Sequence, residues 1–315
     1  MSPSPSAHAP SALRLGVDLG GTKIAASLLA PDGSEVDARR TPTPSSYDEL
    51  MRVLRDFADA IAPRETPLGL GMPGSVSPST GRVRNANLQY LNGRDFPADL
   101  AVATGRQVRV ANDADCFTLS EATDGAAAAA RVVFGVIIGT GVGGGITVDG
   151  ALLPGAGGTV GEWGHNPLPW PAPEETPGPA CWCGQNGCIE RWVAGTSFEI
   201  HYRALPGADP EIRAPEIVRR AERGDPAAAQ ALDAYVSRLG RGLASICNVI
   251  DPAVIVLGGG MSNVDVLYER LPDAISPWLF TDQPVVRVVK NRWGDASGLR
   301  GAAWLWSSAP AGPGR

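Results

Sequence analysis

Several things are scarce or missing in this chain, and each absence removes a class of function. No run of about 18 uninterrupted apolar residues occurs, so no membrane-spanning helix is expected. Lys and Arg never cluster in a run of five or more, and the net charge of −6 is acidic, which argues against a nucleic-acid-binding face. No G-x-x-x-x-G-K-[ST] sequence is present, so a P-loop is excluded. Residues 1–13 lack the basic start and apolar core of an export signal; Ser, Pro and Ala dominate them, and they read as a disordered tail. There are only five cysteines, an odd number, which together with the missing export signal points to a reducing, cytoplasmic setting.

The 315 residues, 43% of them apolar, suffice for two domains with separate cores. The segment Arg14–Arg40 reads as three strands joined by tight turns, with Gly20-Gly21 and Asp32-Gly33 at the corners. A helix is predicted over Tyr47–Ile61 with Leu50, Val53, Leu54, Phe57 and Ile61 on one face. The strand LGLGM, a short helix near Phe96–Ala103, the strand Gln107–Ala111 and a helix to about Thr123 complete a β-β-β-α-β-α-β-α order. The opening pattern then recurs. VVFGVIIGTGVGGGITVDGALL aligns with LRLGVDLGGTKIAASLLAPDG, Gly135 on Gly16 and Gly139 on Gly20, so two domains of related topology are expected. Further on, Leu232, Tyr235, Val236, Leu239, Leu243, Ile246 and Ile250 mark one face of a long helix stopped by Asp251-Pro252, and the strand AVIVL leads into Gly258-Gly259-Gly260 and another helix. The Pro-rich stretch Pro167–Pro179 reads as a loop.

Five groups of residues could carry chemistry. Gly20, Gly21, Thr22 and Lys23 form a glycine turn between strands, a nest of N–H groups that can hold phosphate oxygens, with Asp18 at the strand end able to take Mg²⁺ directly or through water; the alternative is a plain hairpin turn. Thr140 and Gly141 sit in the second such turn, whose G-x-G-x-x-G lettering is followed by a strand and not by the helix a dinucleotide fingerprint requires. Gly258, Gly259 and Gly260 either pass close to a flat base or pack a helix on a strand. His165 with Cys181, Cys183 and Cys188 supplies an imidazole and three thiolates, the donor set of a closed structural zinc site; free thiols on a loop are the alternative. Asn112 and Asp113 follow a strand, where Asp113 could take the proton of an attacking hydroxyl, and Glu162, His165 and Glu190 flank the cysteines and suit paired hydroxyls; caps or surface residues are the alternative for each taken singly.

At these residues the chain resembles the ROK family of sugar kinases, within the actin/hexokinase-like superfamily. The resemblance runs from about Arg14 to Trp306 and is carried by DLGGTK (18–23), GMPGS (71–75), ANDAD (111–115), IGTGVGGG (138–145), GEWGHNPLP (161–169), CWCGQNGCIE (181–190) and VIVLGGGMS (254–262). NANLQYLNG (85–93), NPLPW (166–170) and GLRGAAWLW (298–306) look most like the fructokinase/mannokinase branch, as does Pro171–Ala180, an insertion into the family's usual His-to-Cys spacing. The resemblance implies a two-domain α/β fold of the actin-like (ribonuclease H-like) type, each domain a mixed sheet with flanking helices, and an interdomain cleft. It places a smaller domain at 14–123, joined by a C-terminal helix at about 298–315, and a larger one with the zinc loop at 124–297. It implies ATP-dependent phosphorylation of fructose or mannose at O6 after domain closure, with Asp113 as general base. Gly74, Asn112, Glu162, His165 and Glu190 would bind sugar. Gly20–Lys23 with Thr140 and Gly141 would hold phosphates, and Gly258–Gly260 would meet adenosine. Structural Zn²⁺ on His165 and the three cysteines, Mg²⁺ as the ATP partner and a homodimer complete the expectation. Glucokinase or N-acetylhexosamine kinase activity, and more remotely a sugar-sensing transcription regulator, are the alternatives within the same family.

Overall fold

The computed structural model describes residues 13–307; the expected disordered tail, apart from Leu13, and the residues after 307 lie outside the described part. The chain divides into two units. One takes the chain up to Cys116 together with Pro154–Gly158 and the segment from Gly298 onward; the other holds Phe117–Leu153 and Thr159–Ser297.

The first unit opens with β1 (Arg14–Leu19), β2 (Lys23–Leu29) and β3 (Glu35–Pro42), followed by α1 (Tyr47–Ile61), β4 (Leu68–Met72), the small hairpin β5 (Ser75–Val76) and β6 (Val83–Arg84), α2 (Phe96–Thr104), β7 (Val108–Asn112) and the start of α3 (Asp113–Thr123). Its sheet runs β3-β2-β1-β4-β7, with β1–β3 antiparallel and β4 and β7 parallel to β1. Ser46 starts α1 by accepting the Glu49 N–H, and Leu50, Leu54, Ala58 and Ile61 bury the face expected from the 3.6 period, with Val53 and Phe57 half-buried beside them. That face meets Leu15, Val17, Leu68, Leu70, Phe96 and Leu100 in one core. The hairpin β5–β6 has no counterpart in the expected element order: two residues per strand are too few for alternation to register.

The second unit repeats the plan. It comprises β8 (Val132–Ile138), β9 (Val142–Val148), β10 (Ala151–Leu152), α4 (Glu190–Val193), α5 (Gly195–Arg203), α6 (Ala214–Glu222), α7 (Pro226–Ile250), β11 (Val254–Gly258), α8 (Val266–Ile275) and β12 (Val288–Lys290); α9 (Ser297–Trp304) leads back to the first unit. The sheet order β10-β9-β8-β11-β12 matches the first sheet strand for strand, antiparallel hairpin first and parallel strands after. The recurrent glycines have a packing cause. A Cβ on Gly16 would lie 2.4 Å from the Leu299 carbonyl of α9, and one on Gly135 would lie 2.0 Å from Thr118 Oγ1 of α3. In each unit a helix crosses the first strand too closely for any side chain there. Asp225 caps α7, Pro226 opens it, and Asp251 ends it in a left-handed conformation (φ 44°) before Pro252. After Gly258 the chain makes a 3₁₀ turn at Gly260–Asn263 before α8, where the sequence suggested a helix directly. Among the described residues no helix is long and apolar enough to cross a membrane.

Candidate active site

In the first unit the carboxyl ends of β1 and β7 carry the acidic residues. Asp18 is the penultimate residue of β1; Asn112 ends β7 and Asp113 begins α3. Asn112 accepts the Ala114 N–H at 2.8 Å, capping the helix, and donates through Nδ2 to the Gly74 carbonyl at 3.0 Å. Asp113 also accepts from Ala114 N, at 2.9 Å. Burial pushes the Asp113 carboxyl above its ordinary range against the pull of these hydrogen bonds. Asp18 is pushed up to about 6, by burial first and then by the negative charge of Asp113, with Lys23 pulling the other way. Two carboxyls raised by burial, with the charge of Asp113 raising Asp18 further, form a site poised to accept a proton or to share a cation. Gly74 has φ 102°, and a Cβ there would sit 2.8 Å from the backbone of Arg84 and Ala86, so this loop presents its carbonyl to Asn112 only as glycine.

The turn at Gly20–Lys23 is closed by Gly20 N–H to Lys23 O at 3.0 Å. Thr43, just beyond β3, braces it twice: its N–H donates to Thr22 O and its hydroxyl to Gly20 O at 2.7 Å. In the second unit the matching turn is closed by Gly139 N–H to Gly141 O at 2.9 Å and braced by the start of α5, where Gly195 N–H donates to Gly139 O and Thr196 Oγ1 to Thr140 O. Thr43 and Thr196 escaped the sequence reading because both act across long separations. At Gly258–Gly260 the two sequence readings separate by residue. A Cβ on Gly258 would meet the Phe117 ring at 2.5 Å, and Gly259 (φ 76°) backs onto Ile138, so these two are tight packing positions, whereas Gly260 faces open space. Beside Gly259 lies a cavity of about 210 Å³ edged by Ser262, Lys290, Asn291, Arg292 and Asp295. Nothing in the local pattern of 288–295 marked it; the parallel pairing of β12 with β11 brings it there.

The loop after β10 gathers the remaining residues. Glu162 is exposed and starts the 3₁₀ turn Trp163–His165. His165, Cys181, Cys183 and Cys188 bring their ligand atoms within 4.8 Å of one another. His165 Nδ1 stands 3.7 Å from Cys181 Sγ, and Cys183 Sγ 3.6 Å from Cys188 Sγ. Around a tetrahedral zinc with Zn–S of about 2.3 Å such ligand atoms lie roughly 3.5–3.8 Å apart, so the four residues fit this ion. With Nδ1 turned to the thiols, Nε2 is the nitrogen left for another partner. The Pro171–Ala180 loop is tied down by Glu175, which is buried against Arg238 and Arg241. Glu190 opens α4 and is held at both oxygens: Val142 N–H donates to Oε2 at 3.0 Å and Trp182 Nε1–H to Oε1 at 3.0 Å. Every candidate from the sequence therefore lies on one of two sets. Asp18, Gly20–Lys23, Gly74, Asn112 and Asp113 share the first unit; Thr140, Gly141, Glu162, His165, Glu190, the cysteines and Gly258–Gly260 share the second.

A duplicated hairpin-and-parallel sheet, with a glycine turn in each copy and an Asn-Asp pair at a strand end, is the architecture of actin-like sugar kinases. The chain belongs to the ROK family, whose profile matches residues 14–309. It is 38% identical over 298 residues to the N-acetyl-D-glucosamine kinase of Pectobacterium atrosepticum, covering 92% of this chain and 97% of that one. Among solved structures it resembles the ROK hexokinase of Thermus thermophilus (TM-score 0.80, 31% identity, 94% and 99% of the two chains). It also resembles a ROK family glucokinase of Streptomyces griseus in complex with glucose and AMPPNP (TM-score 0.73, 26% identity, 93% and 99%). The mixed α/β fold with two sheets expected from the sequence is thus the one observed.

Proposed function

We propose that this chain is an ATP-dependent hexose kinase that transfers the γ-phosphoryl group to O6 of the sugar, with Asp113 as general base. The observation that carries the reading is the half-buried Asp18–Asp113 pair in the unit that also holds the Gly20–Lys23 turn. A base raised above the ordinary carboxylate range takes a hydroxyl proton more readily than a free aspartate does. Asn112 fixes the start of α3 and the Gly74 carbonyl, so the base stands on a rigid helix end. Glu162, Glu190 and Nε2 of His165 accept or donate to sugar hydroxyls, the charged acceptors giving the stronger bonds. The N–H groups of the two glycine turns, with Thr22, Lys23 and Thr140, cradle the phosphates. The cavity beside Gly259 suits the nucleoside, with Asp295 as an acceptor for ribose hydroxyls. Asp18 would hold the Mg²⁺ of ATP·Mg²⁺, directly or through water, and that ion would supply charge neutralisation for the transferred group. Zinc on the Cys₃His set holds the loop that carries His165 and leads to Glu190.

Two readings of the sugar each have a supporting observation. Relatives named N-acetyl-D-glucosamine kinase match along nearly the full chain at 35–38% identity, which favours N-acetylglucosamine. The segments 85–93, 166–170 and 298–306 with the 171–180 insertion favour fructose or mannose. A coupled ADP-release assay with ATP·Mg²⁺ across fructose, mannose, glucose and N-acetylglucosamine decides between them by kcat/KM. No ADP above the sugar-free rate with any of the four refutes the kinase reading.

A further inference from the structure

Trp182 stands between the first two cysteines of the cluster and is 71% exposed. Burial does not account for so large an aromatic there, yet its placement is fixed on two sides. Its indole N–H donates to Glu190 Oε1 at 3.0 Å, and its ring meets the His165 imidazole edge to face, with centroids 4.8 Å apart and planes at 89°. Trp182 therefore touches both His165 and Glu190, two of the side chains assigned above to the sugar. Val142 N–H holds the other oxygen of Glu190. A carboxylate with a charge-assisted donor on each oxygen is locked in orientation and still has a lone pair on each oxygen for two neighbouring hydroxyls. Without the indole, rotation about the side chain of Glu190 is checked at one oxygen only.

We propose that Trp182 is a positioning and binding residue for the hexose: its N–H sets the Glu190 carboxylate, and its exposed ring takes the apolar C–H face of the sugar. An indole with one polar edge engaged and its faces wet is chemically suited to a ligand that is itself half apolar and half hydroxylated. Its place between Cys181 and Cys183 anchors its backbone in the cluster, so the ring is presented with little entropy left to lose on binding. The inference rests on the reading that Glu190 and His165 face the sugar.

The test compares Trp182→Phe, Trp182→Ala and Glu190→Ala in the full-length protein, using whichever of the four hexoses gives the highest kcat/KM. Trp182→Phe keeps an aromatic face and loses the donor; a sugar KM raised about threefold to tenfold is expected, the scale of a hydrogen bond to a charge at a solvent-exposed position. Trp182→Ala raises it further. KM for ATP stays within about twofold and kcat within about threefold, since a residue that acts on ground-state sugar binding leaves the chemical step alone. The change in tryptophan emission on saturation with sugar is smaller in Trp182→Phe than in the parent, while melting temperature and zinc content are unchanged; a merely structural residue would move the last two and not the split between the two KM values. Wild-type sugar KM and an unaltered emission response in Trp182→Ala, with a raised KM in Glu190→Ala, overturn the role of Trp182 alone. A wild-type sugar KM in Glu190→Ala as well overturns the sugar-site reading and the proposal with it.

Discussion

Removing the Glu175 carboxylate is the sharpest test of how the Pro171–Ala180 loop is held. Its Oε1 accepts from Arg238 Nε at 2.8 Å and Arg241 Nη2 at 2.9 Å; its Oε2 lies 2.8 Å from Arg241 Nη1 and accepts the Ala172 N–H at 2.9 Å. Side-chain exposure is 6% for Glu175, 6% for Arg241 and 15% for Arg238, so the Glu175–Arg241 pair is shut away from water. Burial by itself raises the Glu175 carboxyl, but the two guanidiniums outweigh it and hold it at about 2. Glu175→Ala leaves two arginines with no counter-charge, and breaking a buried pair on one side costs about 3–5 kcal/mol. For a unit of this size roughly 2–4 °C of melting temperature goes with each kcal/mol, so the transition of the second unit falls by about 6–20 °C. The carboxyl is depressed relative to its ordinary 4.5, so its contribution is complete above about pH 4.5 and disappears as pH falls towards 2. Thermal unfolding followed by circular dichroism should show the full gap between Glu175→Ala and the parent at pH 7, narrowing below pH 4.5. The double variant Glu175→Ala/Arg241→Met recovers part of the loss because only Arg238, the more exposed of the two arginines, is then left without a counter-charge. A single variant melting within about 2 °C of the parent at pH 7 would show that the buried pair does not hold the loop.

Four further outcomes follow from other parts of the molecule. Asp18 has its carboxyl raised from 3.8 to about 6, so the folded state holds a proton the unfolded chain has released between those values; stability is lost as pH rises through this window, and Asp18→Asn should melt above the parent at pH 7 with the difference gone near pH 4. The same protonation removes activity as pH falls through about 6, which a kcat/KM profile would register as an acid limb. A Cβ at Gly301 would lie 1.6 Å from the Cys116 carbonyl, so Gly301→Ala forces α9 away from α3 and should lower the melting temperature by more than about 5 °C, an overpacking cost of about 1–3 kcal/mol or more. Zinc should be found at about one per chain by elemental analysis, and its removal by a strong chelator should expose the 161–190 loop to limited proteolysis; an equally protected loop in metal-free protein would contradict the assignment.

The parts legible in the sequence are those encoded over short spans. The Tyr47–Ile61 helix carries its own cap and apolar stripe, and its observed bounds are the expected ones. The two hairpins announced themselves through paired glycine turns, and the Cys₃His set through spacing alone. What escaped depends on distant partners. Glu175 meets arginines 63 and 66 positions away, Thr43 braces a turn 23 positions before it, and the edge of the cavity at Lys290–Asp295 exists only because β12 pairs with β11. Trp182 was visible within the cysteine motif, but its bond to Glu190 needed the loop to fold before it could be seen. The glycines show the same limit from the other side: Gly16 and Gly135 were recognisable as equivalent positions, and the helices that exclude a side chain at each were not.

The central claim, that Asp113 is the base of a hexose kinase, is tested most directly by steady-state kinetics of Asp113→Asn on ATP·Mg²⁺ and the hexose the parent turns over best. A kcat lower by about 10²–10⁴ is expected with the sugar KM within a few-fold of the parent, since general-base catalysis contributes on that scale and the amide keeps the shape of the site. A variant with near-normal kcat would contradict it.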